Sequence, residues 1–184
     1  MNTENQTFTA IKQKAEQRIN LRNSTTLRLI SSSDLSESSF DNSNMDRLHI
    51  KDSNLSSADF RKCNMKDAQF QFSNFDQANF EWSNLGNNQF HRTNLKDANL
   101  EFTNLSESNF TECTLNRTNF RWAGLKGARF ISCNLSEADF SNTDISTAKF
   151  ENCNLKGAKF NINTKLPFLK EKAIGFGMNF IGIQ

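Results

Sequence analysis

From Ile30 to Phe160 every fifth residue is apolar, and the phase never slips. These 27 positions are filled by 12 Phe, 10 Leu, 3 Ile and 2 Met. A helix repeats every 3.6 residues and a strand every two, so neither can present a five-residue period to a core over such a length. Two residues before each centre the side chain is nearly always small, as at Ser33, Ser38, Ala58, Cys63, Ala68 and Ala158, and between the two stands most often Asn or Asp. The chain therefore reads as a short unit laid end to end, a solenoid rather than a layered globule. Composition agrees, because hydrophobic residues are only 36% of the chain while Phe alone numbers 18. So economical a use of apolar residues requires a narrow, regular core.

The best-formed units are SNLSS (53–57), ANFEW (78–82), ANLEF (98–102), ADFSN (138–142) and CNLKG (153–157). They resemble the motif A(D/N)LXX of the pentapeptide-repeat family. The resemblance implies an all-β fold, a right-handed quadrilateral β-helix in which each unit forms one side of a square coil and four units complete a turn of 20 residues. The residues support the squareness independently. Of the fourteen centres numbered in tens, eleven are Phe, whereas the thirteen interleaved ones include only Phe75. A three-sided coil would mix rings and aliphatic groups on every face; a four-sided one gives two opposed Phe columns and two opposed aliphatic columns. With coils about 4.8 Å apart, residues 30–160 make roughly six and a half turns and a rod ~30 Å long.

The ends depart from the repeat. Residues 1–29 are expected to cap the first coil with a short amphipathic helix over 3–22, from the capping-box spacing of Thr3 and Gln6 and the one-sided Phe8, Ile11, Ala15 and Ile19. After Phe160 the phase fails, and residues 161–184 read as a C-terminal cap or dimerisation segment. Pro167 opens a second candidate helix there, and Phe168, Phe176, Met178 and Phe180 are too apolar to be left in water.

Catalytic chemistry finds no support. All four cysteines, Cys63, Cys113, Cys133 and Cys153, fall on the small inward position, where a buried hydrophobe is the plain reading. No CxxC or Cys/His spacing suggests a metal. His49 and His91 point outward on nearby columns and belong to no nucleophile motif, and the glycines form no phosphate loop. The expectation is no enzyme, no metal and no cofactor. With no apolar run of signal-peptide or membrane-spanning kind and a net charge of +2, the chain is expected in a cytoplasm, without membrane or nucleic acid as a partner.

The outward position two residues after each centre is more informative. It is usually polar, but Trp82, Phe102 and Trp122 occupy it at intervals of 20, which stacks them on one face, flanked by Glu81, Glu101 and Arg121. Phe72 reads as an isolated aromatic on the opposite face. The stripe suits a protein-docking surface of aromatic and Arg anchors with a charged rim; an external stacking ladder and a seat for the chain's own ends are the other readings. The expected function is a non-catalytic scaffold that docks a protein partner on a rod face, with self-association through the C-terminal segment. The resemblance implies an alternative, a DNA-mimicking factor that binds DNA gyrase and protects it. Against that alternative, residues 30–160 carry 14 Lys and Arg against 17 Asp and Glu, a net of −3. That is little charge for a surface meant to satisfy a DNA-binding groove.

Overall fold

A computed structural model describes residues 10–11, 20–23, 25 and 27–182. The chain winds as a right-handed quadrilateral β-helix of about eight turns. One face carries an eight-stranded parallel sheet in chain order: β1 (Ala10–Ile11), β2 (Leu29–Ser31), β3 (His49–Lys51), β4 (Gln69–Gln71), β5 (Gln89–His91), β6 (Asn109–Thr111), β7 (Arg129–Ile131) and β8 (Lys149–Glu151). From β2 to β8 the register is 20 residues, Ile30 beside Ile50, then Phe70, Phe90, Phe110, Phe130 and Phe150. The other three faces are joined by single parallel bridges in the same register, such as Asn54 to Asn74, Asp59 to Asn79 and Asn64 to Asn84.

The unit's three parts each have a physical task. The central side chain points inward, and those from Ile30 to Ile145 are essentially without solvent contact. The small residue is buried as well, and its amide closes the preceding corner, as Ser38 N–H does on the Leu35 carbonyl at 3.2 Å. The Asn or Asp carboxamide or carboxylate oxygen accepts the amide two residues on, as Asn84 does from Gly86 at 3.2 Å. This Asx-type bond holds the corner. The residue after that turns the chain with a positive φ, near +50° to +62° at positions from Ser32 to Asn152.

Inside, the rings stack coil on coil. Phe70, Phe90, Phe110, Phe130 and Phe150 follow at 4.4, 4.5, 4.8 and 5.0 Å. The opposed column runs through Phe40, Phe60 and Phe80 at 4.6 and 4.9 Å, is interrupted by Leu100, and resumes from Phe120 to Phe140 at 5.1 Å. The two columns meet edge to face, Phe120 against Phe130 at 6.0 Å. Outside, the Asn side chains form directed ladders: Asn64 Nδ2 donates to Asn44 Oδ1 at 2.8 Å, Asn84 to Asn64 at 3.1 Å, and Asn104 to Asn84 at 3.0 Å.

Both ends differ from the sequence reading. Within the expected helix over 3–22, Ala10 and Ile11 are instead a strand paired with β2. Asn20 bridges Ser39, and Leu21 is buried with its amide on the Ser39 carbonyl at 2.7 Å. Inter-coil pairing there outweighs helical periodicity, and Leu21 and Leu27 bring the core below residue 30. Thr3, Gln6, Phe8, Ala15 and Ile19 lie outside the described residues. Beyond Phe160 the coil gains one residue in the Asn161–Thr164 turn and continues. Lys165 pairs with Asp144 and Thr143, and Leu166 packs on the core. A short helix α1 (Lys170–Gly175) starts three residues after Pro167. The chain then returns over the end of the rod, where β10 (Asn179–Phe180) pairs in parallel with β9 (Lys159–Phe160).

Candidate partner-docking ridge

Trp82, Phe102 and Trp122 share one corner of the rod, each on the positive-φ residue of its turn, with φ of 62°, 56° and 58°. A bulky side chain there is unusual, because the left-handed region favours Gly, Asn and Asp. The backbone sends the rings outward and the 20-residue register stacks them, Trp82 on Phe102 at 4.3 Å and Phe102 on Trp122 at 6.3 Å, with nearly parallel planes in both pairs. Trp82 is 56% exposed and Trp122 50%. Beneath the ridge the inter-coil amide bonds are long, 3.2 Å at Trp82, 3.1 Å at Phe102 and 3.4 Å at Trp122, against 2.7 Å at Leu85 on the adjoining face.

The flanks are rigid and polar. On one side Asn79, Asn99 and Asn119 form a ladder at 3.3 and 3.0 Å. Their Oδ1 atoms take the amides of Glu81, Glu101 and Arg121 at 3.0 to 3.1 Å. Glu101 is further held by the Asn119 amide at 3.3 Å and approached by Arg121 at 4.0 Å. On the other side lie Asn84, Asn104 and the bare backbone of Gly124. The six residues that the sequence placed together are thus one surface: a ridge of three rings with a fixed acidic and amide shoulder.

Phe72 is not isolated. Its ring meets His91 edge on at 5.3 Å and the Arg92 guanidinium at 5.9 Å, and Arg92 in turn holds Glu112 at 2.7 Å. The partners sit at spacings of 19 and 20 residues on two different columns, which a reading of single columns passes over.

The C-terminal candidates divide between covering the rod's end and facing outward. Met178 is buried, and Phe180 lies against Phe160 at 5.5 Å with the Lys170 ammonium 3.5 Å over its other face. Phe168 and Phe176 meet edge to face at 5.3 Å beside a cleft of about 340 Å³, closed below by Phe150, Cys153 and Leu155.

The Cys63 and Cys133 thiols are inert donors. Each bonds a backbone carbonyl 23 residues earlier, as Cys63 does to Phe40 at 3.1 Å and Cys133 to Phe110 at 3.4 Å. Burial pushes the Cys63 thiol up to about 12, and hydrogen bonding with Cys113, with burial, does the same to Cys133. Such thiols are not nucleophiles at neutral pH. Among the described residues no cluster of His, Cys, Asp or Glu could hold a metal ion, and no helix is long and apolar enough to cross a membrane.

Family models for pentapeptide repeats match residues 30–67 and 63–101, and a model for a pentapeptide repeat region matches residues 103–164. Comparison with curated proteins yields no match. Among solved structures the chain is similar to alr5209, a pentapeptide repeat protein from Nostoc Pcc 7120. That match has 23% identity over 56% of this chain and 84% of that one, with a TM-score of 0.51. It is also similar to full-length QnrB1, a plasmid-mediated fluoroquinolone resistance protein, at 17% identity over 94% and 92% with a TM-score of 0.39. A third similar structure is HetL from the cyanobacterium Nostoc sp. Strain PCC 7120, at 16% identity over 84% and 85% with a TM-score of 0.35.

Proposed function

This chain belongs to the pentapeptide-repeat family, and from that premise we propose that it is a non-catalytic scaffold whose Trp82, Phe102 and Trp122 ridge docks a protein partner. The observation that carries the reading is the placement of both tryptophans of the chain on strained corner residues, exposed and stacked. Large aromatics at positive φ cost on the order of 1 to 3 kcal/mol each, and mutual stacking returns only about 0.5 to 1.5 kcal/mol per pair. Positive φ is shared by most corners, those of Arg47, Lys62 and Phe72 included. What sets these three apart is large apolar rings stacked in register on one face with both tryptophans exposed, which supports a surface kept for contact. Rings at the centre with Glu81, Glu101 and Arg121 at the margin are the usual make-up of an interface core and rim.

The second reading, a DNA-mimicking protection factor for a topoisomerase, draws on the role of QnrB1 in fluoroquinolone resistance. The surface gives it little support, since acidic groups along the rod are neutralised in place. Arg117 binds Asp97 at 2.7 Å, Arg92 binds Glu112 at 2.7 Å, and Arg129 binds Glu151 at 3.3 Å. The test compares wild type with a Trp82→Asn, Phe102→Asn, Trp122→Asn variant, Asn being at ease at positive φ. Wild type is expected to fluoresce like water-exposed tryptophan, to be quenched freely by acrylamide, and to retain a binding protein that the folded variant loses. It is expected to leave DNA gyrase supercoiling unchanged with or without a quinolone. Inhibition or protection of gyrase at stoichiometric amounts would put the DNA-mimic reading in its place.

A further inference from the structure

The C-terminal end of the rod is closed over only part of its cross-section. On one face β10 covers β9, and Phe180 covers Phe160. On the sheet face β8 pairs with β7 and, among the described residues, has no strand on its other side. One coil earlier the corresponding backbone groups are used: the Ala128 carbonyl accepts from Lys149 at 2.9 Å, and the Ser132 amide donates to Glu151 at 2.8 Å. Among the described residues no backbone bond reaches the Ala148 carbonyl or the Asn152 amide. The Phe column likewise ends only half-buried. Phe150 stacks on Phe130 at 5.0 Å, and its other face lines the cleft of about 340 Å³ bounded by Phe168 and Phe176.

We propose that this edge takes up an extended, acidic segment of another protein, which adds a strand to β8 and seats an aromatic side chain on Phe150. The free hydrogen-bonding row selects an extended backbone, the mode by which sheet edges bind peptides. The stacking distance along the column sets the place of the aromatic ring, one coil above Phe150. Charge sets the rest. Glu151 is held by Arg129 at 3.3 Å, whereas Lys149 on the edge strand and Lys172 on the cleft wall have no carboxylate partner among the described residues.

The edge amide of Asn152 provides the readout, since no backbone bond uses it among the described residues. The experiment titrates the full chain into fluorescein-labelled Asp-Ala-Asp-Phe-Glu-Glu, following anisotropy and, by hydrogen exchange, the Asn152 amide. The expected result is saturable binding that slows exchange at Asn152. Methylating the Phe amide nitrogen of the peptide, or introducing Lys149→Glu with Lys172→Glu, should each weaken it by about tenfold or more. Both lysines are on the surface, so the variant keeps its fold, which circular dichroism verifies. Absence of binding up to millimolar protein overturns the proposal, and so does binding indifferent to both changes. A dimer in sedimentation whose Asn152 amide exchanges quickly only on dilution would show that a second copy covers the edge, and overturns it equally.

Discussion

Asn88 occupies a position that elsewhere in its column holds Ala68, Ser108 and Ala128, and it is fully buried. Its Oδ1 accepts the Ala68 amide at 2.8 Å, but its Nδ2 is without a partner. A serine oxygen could do both jobs at such a site. Ser83 Oγ accepts from Cys63 N at 3.2 Å and donates to the Phe60 carbonyl at 2.6 Å. Asn88→Ser is therefore expected to stabilise the protein by about 1 kcal/mol, the order of a buried unsatisfied group, seen as a higher midpoint in urea. At this scale the sequence was most legible where one residue has one task. The inward centres and small positions could be read directly, because a five-residue side leaves room for only one large side chain. The corner position foretold the outward Trp82, Phe102 and Trp122 for the same reason. Phe72 was misread, since its contact with His91 crosses from one column to the next and its column partner Arg92 is not aromatic.

The last side of the coil depends on one element, the stretch from Asn161 to Leu166, which absorbs one extra residue and still returns to register. Asp144 anchors it: its carboxylate accepts from the Ser146 hydroxyl at 2.6 Å and amide at 3.1 Å, and from Lys165 Nζ at 3.1 Å. Those bonds, Ser146 first and Lys165 after, hold the carboxyl down at about 2. A carboxyl lowered on folding contributes stability that is fully present above its ordinary value of 3.8 and disappears as pH falls through about 2. Asp144→Asn is thus expected to lower the urea midpoint at pH 6, modestly because the pair is exposed, and to keep only a small part of that difference at pH 2. A difference that persists unchanged at pH 2 would rule the carboxylate out as its source. The ends were the least legible elements. Phe8, Ile11, Ala15 and Ile19 have helical spacing, yet Ala10 and Ile11 pair as a strand, because an exposed rung gains more from a partner than from its own periodicity. The Asn161–Thr164 turn hid a continuing coil behind a single-residue slip.

The molecule as a whole is defined by its 20-residue register, and this makes a sharp prediction about length. Deleting residues 91–110 removes one full coil, keeps every column intact, and is expected to leave a folded, shorter rod of unchanged circular dichroism shape. Deleting residues 91–105 removes three sides, brings the Phe columns over aliphatic ones, and is expected to abolish cooperative unfolding and produce aggregates on gel filtration. Equal outcomes for the two would contradict a four-sided register. The same register aligns the external amides. In every ladder the Nδ2 group of one coil donates toward the N-terminal end and the Oδ1 atom faces the C-terminal end, from Asn64 on Asn44 to Asn119 on Asn99 and Asn154 on Asn134. Neutral side chains laid head to tail add their dipoles as peptide groups do in a helix. The rod therefore carries an electric axis of its own, positive toward its first coil and negative toward its last, which gives its two ends opposite electrical character independently of its formal charges.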